Sequence, residues 1–141
     1  MRAVYTALRN RFHANPTLKL KGRDLLLGLT EKEAVTVTRP YTELNYRSDG
    51  SEDTFDADVD RWACEFYYHA KDLKGTAATD WQEAMRTAFR DGNITSPEFS
   101  CCGTQNFEVD GPSESDGSYD AKCSFILITQ RFVRNPVTAG T

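Results

Sequence analysis

A chain of 141 residues suffices for one domain, and folding at this size removes roughly two thirds of the unfolded surface from water, so neither disulfides nor a metal are needed to hold it together. Its 17 basic and 21 acidic residues leave a formal charge of −4, which argues against a protein that coats DNA or an anionic membrane, where a basic patch is expected. No apolar run reaches the length of a membrane span, and arginines interrupt the opening "MRAVYTALRNRF" where a signal peptide needs an apolar segment.

The first element predicted is a helix over residues 1–13. Met1, Val4, Tyr5, Leu8 and Phe12 recur at the spacing of one apolar stripe. Asn15–Pro16 ends it, because the residue before a proline is pushed out of the α region. Residues 17–38 alternate in "LKLKG" and "AVTVT" around "LLLGLT", without a clear assignment. After Pro40, "YTELNY" reads as a strand with Thr42, Leu44 and Tyr46 on one face and Tyr41, Glu43 and Asn45 on the other. The small, acidic stretch 47–57, with Asp49, Glu52 and Asp53, is expected to be an exposed, mobile loop.

"DRWACEFYYHAKD", residues 60–72, has period two. Trp62, Cys64, Phe66, Tyr68 and Ala70 share one face, and Arg61, Ala63, Glu65, Tyr67 and His69 the other, as in a strand with one face in a core and one partly wet. The next helix is the clearest. Thr79 and Gln82 are spaced as a capping box, Trp81, Ala84, Met85, Ala88 and Phe89 form the stripe, and Gly92 suits the C-terminal cap. Residues 98–109 read as a strand broken by Gly103, and residues 110–118 as a second acidic loop. In 119–133, Tyr119, Ala121, Cys123, Phe125 and Leu127 alternate with Asp120, Lys122, Ser124 and Ile126. Both faces are apolar from Phe125 to Ile128, the pattern of a central strand covered on both sides. The order predicts a single α+β domain over 1–134, two main helices on an antiparallel or mixed sheet, with a loose tail at 135–141.

No catalytic motif stands out. Cys64 and His69, five apart on a strand, point to opposite faces and cannot share a proton. His13 suits the dipole at a helix C-terminus. Asp56, Asp58 and Asp60 share a face but lack the glycine and terminal glutamate of a calcium loop. Cys64, Cys101, Cys102 and Cys123 form no Cys-x-x-Cys pair, and nothing nearby in sequence lowers the pKa of the vicinal Cys101–Cys102 thiols. The expectation is reduced thiols, no metal, no cofactor and no enzyme.

The order of "MRAVYTALRNRF", the hairpin-like "RPYTELNYRSDGSEDTFDADVDRWACEFYYHAKD", the helix "WQEAMRTAF" and a closing hairpin resembles the tail terminator, or tail completion, proteins of long-tailed bacteriophages, over about residues 1–134. The resemblance is one of pattern. It implies an α+β subunit of a homo-oligomeric, typically hexameric, ring in the virion. That ring caps the tail tube, meets neck and connector proteins, and lets DNA pass without sequence-specific binding or any membrane contact. Other neck rings share the element order. A domain binding a small ligand or peptide between helix and sheet is the alternative from another class. Within this frame the wet face with Arg61, Glu65, Tyr67 and His69, and the acidic stretch with Asp49, Glu52 and Asp53, are the expected contact residues.

Overall fold

The computed structural model describes residues 2–18, 25–27, 41–53, 58–69, 76–90, 94, 96–97, 99–115 and 118–131. Helix α1 is Arg2–Ala14, followed by strands β1 (Leu25–Leu27), β2 (Tyr41–Asp53) and β3 (Asp58–His69). Helix α2 is Thr76–Met85 and continues as a π-helical turn, Arg86–Arg90; strands β4 (Phe99–Ser115) and β5 (Ser118–Arg131) close the chain. The five strands lie in the order β1-β2-β3-β5-β4. Four form an antiparallel sheet, and short β1 adds to its edge parallel to β2. The fold is α+β, as the element order predicts.

The alternating strands fill one core with their inner faces. Leu44 of β2, Cys64, Phe66 and Tyr68 of β3, and Cys123, Phe125 and Leu127 of β5 are buried there. Both helices cover that face. Val4, Leu8 and Phe12 of α1 are buried, and the whole α2 stripe is as well. The rings meet directly: Phe12 and Phe89 pack on Phe66, and Phe89 also packs on Phe125. Trp81 stacks on Tyr68 with centroids 5.4 Å apart, and its indole N–H donates to the buried Thr42 hydroxyl at 3.1 Å. A buried indole needs such a partner. Asn15 ends α1 as expected and also caps the turn after it. Its side-chain oxygen accepts from the amides of Thr17 and Leu18, with Pro16 at the first helical position, where its missing N–H costs nothing.

Several expectations are corrected. The stretch 47–53 is strand, not loop: Ser51, Glu52 and Asp53 pair with Asp60, Val59 and Asp58. Its turn-type residues satisfy their backbones in the ladder, and a register shift between Ser48 and Ser51 absorbs Asp49 and Gly50. Residues 54–57 lie outside the described residues. Gly103 does not break β4, and residues 110–115 continue it. The register shifts between Cys101 and Gly103, Gln105 and Glu108, and Asp110 and Ser113. Gly103 (φ 126°), Asn106 (φ 55°) and Gly111 (φ 89°) sit within or at these shifts in left-handed conformations, which glycine and asparagine tolerate best.

Thr79 is not a cap, because α2 begins three residues earlier, at Thr76. Gln82 is buried instead and donates to the Asp110 carbonyl at 2.9 Å. The end of α2 is π-helical rather than α. The Thr87 hydroxyl bonds back to the Glu83 carbonyl at this junction, and the Ala88 and Phe89 carbonyls accept from Arg11 and Thr104. Ile126 and Ile128, expected to be covered, are half-buried on the outer face. The "AVTVT" stretch, Gly92 and the tail lie outside the described residues. No described helix is long and apolar enough to cross a membrane.

Candidate interaction surface

Because both helices lie on the inner face, the outer face of the sheet is where the predicted contact residues stand. Arg61, Glu65, Tyr67 and His69 alternate along β3 and are all half-buried. Register supplies their neighbours. On β2, Tyr41 stands opposite His69 and Glu43 opposite Tyr67; on β5, Asp120 stands opposite His69, Lys122 opposite Tyr67, Ile126 opposite Ala63 and Ile128 opposite Arg61. One end of the face is therefore aromatic and charged, and the other is aliphatic.

The charged end is knit by diagonal cross-strand contacts, the reach expected of long side chains on a pleated face. Lys122 Nζ lies 2.9 Å from Glu65 Oε2 and 5.5 Å from the centre of the Tyr67 ring. The Tyr67 hydroxyl donates to the same carboxylate at 3.1 Å. The hydrogen bond from Lys122 holds the Glu65 carboxyl below the usual range, and the same bond raises Lys122. Burial, then the Glu65 charge, pushes Tyr67 up. His69 stacks on Tyr41 with centroids 4.6 Å apart. Its Nδ1 lies 3.4 Å from Asp120 Oδ1 and its Nε2 lies 4.0 Å from Glu43 Oε1, contacts that are ion pairs only when the ring is protonated. The result is a half-buried surface with charges paired across the strands. Sequence reasoning found its β3 members but missed Glu43, Lys122 and Asp120, whose role depends on register. Glu52 and Asp53 lie further along, on the far rungs of the β2–β3 ladder, and Asp49 lies in the register shift before them.

Among the described side chains, the thiol and imidazole weighed from the sequence are not brought together. Cys64 is buried on the inner face and donates to the Trp62 carbonyl at 3.6 Å, while His69 is on the outer face. Burial pushes the Cys64 and Cys123 thiols up to about 12, so neither is a ready nucleophile. Among the described residues, no group of three or more His, Cys, Asp or Glu side chains could hold a metal ion. One groove, of about 620 Å³, opens at the helix layer between Pro16, Asp80 and Thr87. A second, of about 560 Å³, lies between the π-helical turn and β4.

No protein-family model matches the sequence, and no curated protein matches it. Among solved structures, one chain whose name states no function matches with a TM-score of 0.45 and 12% identity, over 93% of this chain and 97% of that one. A likeness of that degree carries no functional conclusion. The class defined so far is thus an α+β domain with one sheet face under helices and the other presented outward.

Proposed function

We propose that this chain is a structural subunit of a long-tailed bacteriophage, one protomer of a closed, hexameric ring that terminates the tail tube and joins it to the neck. The observation that carries the reading is the outer sheet face. Glu65, Tyr67 and Lys122 are locked to one another there, and Ile126 and Ile128 stay half-buried beside them. A half-buried, mixed aromatic and aliphatic surface of this kind suits contact between proteins, where tyrosine carries large area at small entropic cost. The resemblance in element order supplies the setting: copies of itself, the tail tube protein and neck proteins as partners, in the virion, with DNA passing through. Another neck ring would use the same face.

The test is Tyr67→Ala. Its ring lies on the outer face, so the variant keeps its fold and melting behaviour but assembles only at higher concentration. Sedimentation across a concentration series reads this. Assembly identical to the parent protein sinks the assignment of this face.

A further inference from the structure

Arg86 and Arg90 stand one turn apart on the π-helical end of α2, and Thr104, Phe107 and Val109 of β4 complete a groove of about 560 Å³ beside them. Neither guanidinium is consumed within the fold. Arg86 pairs with Glu83 at 3.5 Å, but the two side chains are 42% and 70% exposed, and so wet a pair is readily exchanged for another carboxylate. Arg90 is exposed and has no acidic partner among the described residues. Both present planar forks, which match a carboxylate with two parallel hydrogen bonds.

Three further observations narrow the ligand. The first is the helix end. Free carbonyls at a helix C-terminus repel an anion, but here the Ala88 carbonyl accepts from Arg11 Nε at 2.7 Å and the Phe89 carbonyl from the Thr104 hydroxyl at 3.4 Å. The second is the sheet wall. Phe107 and Val109 are half-buried and pack against the core, and Phe107 stacks on Phe125 with centroids 5.9 Å apart, so both present fixed apolar surface. A phosphate group gains nothing from such surface, and two free cations on a chain of formal charge −4 make a poor track for a nucleic-acid backbone. The third is the strand itself. β4 is at the edge of the described sheet, yet its register shifts between Cys101 and Gly103, Gln105 and Glu108, and Asp110 and Ser113 spoil the run of backbone that an added strand needs. Recognition here falls to side chains.

We propose that this groove holds an extended peptide segment of a partner protein in which acidic and aliphatic residues alternate. The acidic side chains face α2 and pair with Arg86 and Arg90, displacing Glu83, while the aliphatic ones face β4 and rest on Phe107 and Val109. The spacings agree. Side chains one helical turn apart are roughly 6 Å apart at their bases, and residues two apart on an extended chain are separated by roughly 6–7 Å. The site does not depend on the ring reading, since its ligand is a partner other than a second copy.

A fluorescein-labelled octapeptide of alternating Glu and Val is the probe, read by fluorescence anisotropy at low ionic strength. The parent protein is expected to bind it. Arg86→Glu and Arg90→Glu, each checked for fold by circular dichroism and melting, are each expected to weaken binding by about tenfold or more. Should Arg86→Glu fail to fold, Arg86→Gln replaces it. The double variant R86E/R90E should prefer the peptide with Lys in place of Glu, and the parent should bind a Glu–Ser counterpart less tightly than the Glu–Val one. Absence of binding by the parent overturns the proposal, as does equal binding by parent and folded variants. Equal affinity for the Glu–Ser peptide removes the apolar contact and overturns the alternation. A single-stranded oligonucleotide of matching length that binds more tightly than the peptide, and is released by Arg90→Glu, also overturns it, in favour of a phosphate backbone. Because the readout is peptide binding, a protein that never forms a ring leaves the site testable, and a failed peptide leaves the ring reading standing.

Discussion

Removing the Trp81 side chain tests the core of the account most sharply. The ring is completely buried, stacks on Tyr68 and donates its N–H to Thr42, itself completely buried. Truncating such a side chain costs about 3–5 kcal/mol in lost transfer energy and cavity. The orphaned Thr42 hydroxyl adds about 1–3 kcal/mol. Against the roughly 5–15 kcal/mol that holds a domain folded, Trp81→Ala should leave the protein marginal or unfolded. Trp81→Phe separates the terms, because it keeps an aromatic ring against Tyr68 and drops only the donor and some volume. In that background Thr42→Val should be neutral or stabilising, whereas in the parent protein it should cost about 1–3 kcal/mol. Urea unfolding followed by circular dichroism measures all four proteins. Equal Thr42→Val costs in both backgrounds refute the coupling, and an unchanged midpoint in Trp81→Phe refutes the burial itself.

Native Cys64 and Cys123 should resist a thiol reagent near neutral pH and react at once on unfolding; fast native labelling of either contradicts the inner-face assignment. Burial raises both thiols from an ordinary 9.0 to about 12, so their contribution to stability is full below pH 9 and is lost as pH rises towards 12. A melting temperature that holds level across that window contradicts the burial. Lys122→Ala should cost no more than about 1 kcal/mol, since its bond to Glu65 is part-exposed, and a larger loss in urea unfolding would show a buried role.

How much of this was legible in the residues follows from which forces are local. The α2 stripe and the alternation of β3 and β5 are written in the order of side chains, and every inner-face residue from Cys64 to Tyr68 and from Ala121 to Leu127 is buried as that order predicts. The misplaced loops at 47–53 and 110–115 share one cause. Serine, glycine and aspartate signal turns, yet a paired backbone accepts them once bulges absorb the extra residues, and Gly103 and Gly111 provide the required left-handed φ. Strand β1 pairs with residues far along the chain, and three leucines do not announce a parallel partner. The candidate surface was half legible for the same reason. Alternation places Glu65, Tyr67 and His69 on one face, but only the register brings Lys122 to Glu65 and sets Glu43 and Asp120 on either side of His69.

The central claim is that the protein acts by assembling, and its mass in solution tests that most directly. Native mass spectrometry with sedimentation over a wide concentration range, backed by images of the particles, should find a closed species of six chains with a central opening. A single-chain mass at every concentration, with no ring in the images, contradicts the account.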